Sequence, residues 1–74
     1  MGKLRTLSGQ SVCKILQSQG FVKIRQRGSH IIMQRQLEDT TITVPVPDHK
    51  TLKTGTLKSI IRQSQLPSHL FETQ

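Results

Sequence analysis

The chain has 74 residues; an independent core takes roughly 50 residues or more, so a multi-domain enzyme is excluded. Hydrophobic residues make up 32% of it, with two Phe and no Trp or Tyr, so the expected core is thin and built almost entirely from Ile, Leu and Val. Eleven Lys and Arg against four Asp and Glu give a formal charge of +7 at pH 7, which calls for a polyanionic partner.

In chain order, Ser8 is placed to cap a first helix over Gly9 to Gln19. Val12, Ile15, Leu16 and Gln19 recur there at helical spacing until Gly20 supplies a stop. Cys13 lies beside Leu16 on that stripe and is read as a small core residue. From Phe21 the period changes to two, with Val22 and Ile24 alternating with Lys23 and Arg25 up to the turn signal Arg27-Gly28-Ser29. His30 to Arg35 forms the hairpin partner, with Ile31 and Met33 on one face and His30, Ile32 and Gln34 on the other. Thr41 to Val46 alternates again, and its Pro45, lacking an N–H, argues for a sheet edge or strand end. A second helix opens around Thr54-Gly55 with Leu57, Ile60 and Ile61 as its apolar stripe, and Pro67 closes it. Ser68 can cap a last short turn carrying Leu70 and Phe71.

Helix, three-stranded antiparallel meander, helix is therefore the expected order, an α+β sandwich in which both helices bury their stripes on one sheet face. The other face stays open, and the alternation puts basic side chains there. One domain is expected over residues 1–74, with its core from about residue 7 to residue 71.

The charge is unevenly spread. Lys3, Arg5, Lys14, Lys23, Arg25, Arg27 and Arg35 all precede the first acid, Glu38. A single cysteine makes no intrachain disulfide, which favours a reducing, cytoplasmic setting. No apolar run approaches the ~18 residues of a membrane span, so no membrane partner is expected. Met1 to Thr6 formally fits an acylation pattern, but one of such low information that nothing is built on it.

Two groupings carry possible chemistry. In Arg25-Gln26-Arg27-Gly28-Ser29-His30, guanidinium forks suit phosphate oxygens, glycine lets backbone approach a ligand, and imidazole suits proton transfer near neutrality. RNA cleavage needs a base for the 2′-hydroxyl, an acid for the leaving oxygen and cations for the charge on phosphorus, with no metal. On the pattern alone, a merely solvated basic hairpin accounts for the same residues. The second grouping is His49-Lys50, Lys53, Thr54-Gly55-Thr56 and Lys58, where the start of the second helix and its lysines favour a phosphate. A capped, solvated helix start is the alternative. His30, His49 and His69 match no usual metal-ligand spacing, His69 is read as a surface residue, and the four acids form no paired motif. No metal or other cofactor is expected.

Several of these residues together resemble a known family. They are Ser8-Gly9, Gly20-Phe21, Arg25-Gln26-Arg27-Gly28-Ser29-His30, Val44-Pro45, His49, Leu52-Lys53-Thr54-Gly55-Thr56-Leu57 and Ile60-Ile61-Arg62-Gln63. The chain is similar, from about Leu7 to Phe71, to the HicA (YcfA-like) toxins of bacterial and archaeal type II toxin-antitoxin systems. The resemblance implies a double-stranded-RNA-binding-domain-like α-β-β-β-α fold and a ribosome-independent mRNA interferase dependent on the histidine of the Gly-Ser-His motif, His30. It also implies neutralisation by a HicB-type antitoxin. Arg27 stands where the family often has Lys and keeps the charge. Ile31 stands where many relatives carry a second His, so the motif supplies one imidazole and the second proton-transfer group is unassigned.

The expected reading is an endoribonuclease acting on mRNA, with His30 catalytic and Arg25, Arg27, Gly28, Ser29, Lys50, Lys53 and Lys58 binding RNA. The alternative is a non-catalytic module that binds double-stranded RNA or the ribosome, for which the same fold and charge suffice.

Overall fold

In a computed structural model the described residues are 3–72, so the start of the acylation-like pattern at Met1-Gly2 lies outside them. The elements run α1 (Gly9–Ser18), β1 (Val22–Arg27), β2 (His30–Gln36), β3 (Thr41–Pro47) and α2 (Thr54–Ser64), then a 3-10 turn over Ser68–Phe71. The architecture is the α+β, double-stranded-RNA-binding-domain-like α-β-β-β-α fold.

Local chemistry sets the ends of α1. The Ser8 hydroxyl accepts from the Ser11 amide at 3.0 Å, satisfying one of the helix's orphan donors. At the other end Gly20 takes φ +93°, with Gly20 N–H donating to Gln17 O at 3.2 Å and Phe21 N–H to Leu16 O at 3.0 Å. That pair of bonds is a Schellman stop, and its accompanying apolar contact is supplied by Leu16 and Phe21, both buried. α2 begins at Lys53 with no side-chain cap and ends at Gln65 in the left-handed conformation, φ 61°.

The sheet has the order β1-β2-β3, antiparallel throughout. Pro45 lies opposite Ile32 on β3, an edge strand, where a missing donor leaves the ladder intact. Ile31, Met33, Ile42, Val44 and Val46 face the helices and join Val12, Leu16, Leu57 and Ile60 in the core. Both phenylalanines are buried there as well, so the thin core is reinforced by rings at Phe21 and Phe71.

One expectation needs correction. Strict period two does not hold along β1, because the register steps from Lys23↔Met33 to Arg25↔Ile32 and leaves Ile24 as an extra residue in a bulge. Directly opposed residues share a face, so Lys23 and Gln26 fall on the helix side, where Lys23 Nζ donates to Gln26 Oε1 at 3.3 Å. Arg25 and Arg27, opposite Ile32 and His30, fall on the open side. β1 places no residue in the core; Val22 and Ile24 are 59% and 39% exposed.

Cys13 is buried in the core. Burial pushes its thiol pKa up, the Asp48 carboxylate adds to that rise, and Lys23 opposes it. The native protein should therefore react with a thiol reagent such as dithiobis(nitrobenzoate) at a small fraction of the rate seen in denaturant. A native rate equal to the denatured one would show that the packing over α1 opens freely.

Candidate nucleic-acid interface

The β1–β2 loop contains only Gly28 and Ser29, since Arg27 and His30 are paired across it. Gly28 has φ +58° while Ser29 has no positive φ, the signature of a II′ turn, which fits strand twist and takes glycine first. Nothing lies within 4 Å of a side chain built on Gly28, so backbone conformation, not crowding, accounts for glycine there. The turn delivers His30 as the first residue of β2, exposed and opposed by Arg27 on one side and Pro47 on the other.

The turn also places the arginines. Counting back from the Arg27–His30 pair, Arg25 lies opposite Ile32 and shares the face of Arg27 and His30. The bulge at Ile24 acts on the residues before it, turning Lys23 to the helix side opposite Met33. Among the described residues, neither guanidinium nor the His30 imidazole has a hydrogen-bond or ion-pair partner within the chain. They are therefore available to a ligand.

The segment after β3 is held against this hairpin. Asp48 N–H donates to Ser29 O at 2.6 Å, Gly9 N–H to His49 O at 2.9 Å, and Leu52 N–H to Leu7 O at 2.8 Å. Gln10 Nε2 donates to Asp48 Oδ1 at 3.0 Å. A methyl group on Gly9 would run into the Pro47 carbonyl oxygen. Glycine there is disfavoured on helix propensity, and Ser8 already caps the helix, so the redundant glycine was the available signal of a close approach.

Beside the hairpin lies a cleft of about 250 Å³, lined by Pro47, His49, Thr51, Leu52, Lys53 and Thr56. Of the lysines expected to bind RNA, Lys53 lines this cleft and Lys50 is exposed on the loop leading to it. Lys58 is not brought there. It stands five residues beyond Lys53, about 140° around the helix, and lines grooves shared with Leu4 and Glu72. The structure thus gathers Arg25, Arg27, Gly28, Ser29 and His30 at one end of the open face, sets Lys50 and Lys53 next to them, and leaves Lys58 apart.

Three of the four acids sit away from this end, and the fourth, Asp48, lies beside the turn. Glu38 and Asp39 occupy the β2–β3 connection, about 20 Å from His30 along a seven-residue strand. Asp48 is engaged by Gln10, and Glu72 accepts from Ser68 Oγ at 3.1 Å. With Arg25, Arg27, Lys50 and Lys53 against the one carboxylate of Asp48, the hairpin end keeps an excess of positive charge.

These features define a small α+β module with an open basic face carrying an imidazole at a hairpin turn. A family model described as HicA toxin of bacterial toxin-antitoxin systems matches residues 9–66, most of the chain. This protein belongs to the HicA toxin family, and membership implies an antitoxin partner. No curated protein matches the sequence closely enough to add a more specific relative. Among the described residues no helix is long and apolar enough to cross a membrane.

Proposed function

We propose that this chain is the toxin of its system and acts as a ribosome-independent mRNA interferase, a metal-independent endoribonuclease of the cytoplasm held inactive by a HicB-type antitoxin. The observation that supports this most is the placement of His30 between Arg27 and the Pro47 loop on the open basic face. Arg25, Arg27, Lys50 and Lys53 hold phosphates of the RNA backbone, with Lys58 contributing at longer range. The Gly28-Ser29 turn lets the RNA backbone come close. His30 moves a proton while the 2′-hydroxyl attacks phosphorus, which makes RNA and not DNA the substrate. The arginines offset the charge that builds on the phosphoryl oxygens.

Both phenylalanines are buried, so the open face offers bases no Phe, Tyr or Trp ring to stack on, and base preference is weak. Affinity instead depends on salt. With about five cations against single-stranded RNA, log K falls by about 3.5 per tenfold rise in salt. Going from 50 to 200 mM salt should therefore weaken binding about 100-fold. A filter-binding or anisotropy titration at several salt concentrations checks this, and a flat profile would remove the phosphate-binding surface from the account.

The direct test incubates wild type and His30→Ala with a labelled structured RNA in EDTA, with the matching DNA alongside, and maps the fragment ends. Cleavage of RNA alone, by wild type alone, is the expected result. RNA bound but left whole by both proteins would instead establish the non-catalytic binding module.

A further inference from the structure

Cleavage by 2′-hydroxyl attack needs two proton transfers, and His30 accounts for one. The neighbouring position offers no second group on this face. Ile31 points to the opposite side of β2 and is 3% exposed in the core, so even a histidine there would face the helices.

His49 meets the requirement by placement. His30 pairs with Pro47, and the ladder continues one residue further through the Asp48 N–H to Ser29 O bond. Side chains alternate along such a segment. Asp48 turns to the helix side, where Gln10 meets its carboxylate; Pro47 and His49 therefore turn to the side on which His30 stands. Opposed Cα atoms lie about 5 Å apart, and two further residues add at most ~7 Å, so the two histidine Cα atoms are within roughly 12 Å.

The backbone around His49 is also fixed. Its carbonyl accepts from Gly9 N–H at 2.9 Å, and its neighbours are tied to Ser29 and to Leu7. Yet its imidazole is exposed, lines the cleft with Pro47 and Lys53, and among the described residues has no hydrogen-bond partner. A rigidly held backbone carrying a free imidazole differs from a packed or structural histidine, whose ring nitrogens are occupied.

We infer that His49 is the second proton-transfer residue, working opposite His30 on the two sides of one phosphodiester; this rests on the endoribonuclease reading. The neutral imidazole takes the proton from the 2′-oxygen as the O2′–P bond forms. The protonated one gives its proton to the 5′-oxygen as the P–O5′ bond breaks. A 2′,3′-cyclic phosphate and a 5′-hydroxyl result, and the pair ends with its protons exchanged and no net change of charge.

The test follows single-turnover cleavage of one RNA across pH by wild type, His30→Ala and His49→Ala, with affinity read on the 2′-O-methyl form, which cannot be cleaved. The charged and titratable groups around His49 are Asp48 and Lys50 beside it, Lys53 across the cleft, and Arg27 and His30 on the hairpin. The wild-type rate should be bell-shaped in pH. His49→Ala should lose about 10²- to 10⁴-fold in rate, bind the 2′-O-methyl RNA as wild type does, and keep only one limb of the bell. A His49→Ala rate within a few-fold of wild type overturns the inference. So does a loss matched by an equal loss of affinity, or a slower rate that keeps both limbs. Wild type that binds RNA without cutting it fails the endoribonuclease reading itself, and this inference with it.

Discussion

His30→Ala is expected to lower RNA cleavage by about 10²- to 10⁴-fold, the contribution of a positioned general acid or base, while melting temperature and RNA affinity stay near wild type. The exposed imidazole at the start of β2 makes no hydrogen bond among the described residues, so its removal opens no cavity and orphans no buried group. A surface change of that kind shifts stability by about 0.5 kcal/mol or less. Affinity rests on the arginines and lysines around it, all of which remain. Initial rates on a labelled RNA, a thermal melt and a binding curve on the same preparations separate the possibilities. A parallel loss of affinity and rate would make His30 a phosphate-binding residue, and a lowered melting temperature would make it structural.

The elements and the hairpin chemistry were legible because their signals are local. Ser8 caps within three residues and Gly20 stops α1 within its own last turn. Gly28 sets a turn whose flanking residues, Arg27 and His30, are only three positions apart. The bulge at Ile24 was not legible, since period two along β1 is broken by pairing with Met33 and Ile32 and not by anything in β1 alone. It decides the side that Lys23 occupies, whereas Arg25 and Arg27 keep the open side that the alternation and the two-residue turn assign them. The position of His49 was hidden for the same reason. It is set by bonds to Gly9 and by a Gln10–Asp48 contact spanning 38 positions, and by a ladder that continues past the end of an alternating pattern. Lys58 shows the converse. Its charge and nearness in sequence grouped it with Lys53, but helical geometry turns it toward Leu4 and Glu72.

The same substitution at two helix starts should have opposite signs. Propensity alone predicts that Gly→Ala stabilises either helix by about 0.5–1 kcal/mol. At Gly55 in α2 that expectation stands, because nothing lies within 4 Å of the added methyl group and the backbone has no positive φ. At Gly9 it reverses. There the methyl group meets the Pro47 carbonyl oxygen head on, with the Pro47 carbonyl carbon at 3.0 Å and the Asp48 Cα at 3.1 Å. These are backbone atoms of a segment tied to Ser29 and Gln10, so no rotamer change relieves the contact and either α1 or the loop must move. Overpacking costs about 1–3 kcal/mol, and a backbone obstacle belongs at the upper end. For a domain of this size a net loss of about 2 kcal/mol lowers the melting temperature by roughly 8–16 °C. The movement would also stretch the Gly9 N–H to His49 O bond and pull that loop from the hairpin. RNA cleavage by Gly9→Ala should therefore fall even at temperatures where the variant is fully folded, while Gly55→Ala melts slightly higher than wild type and cleaves normally. Thermal melts and cleavage rates of the two variants side by side measure both effects. Equal melting of Gly9→Ala and wild type would mean that the helix and the loop can part without cost, and that the clamp does not hold the functional end together.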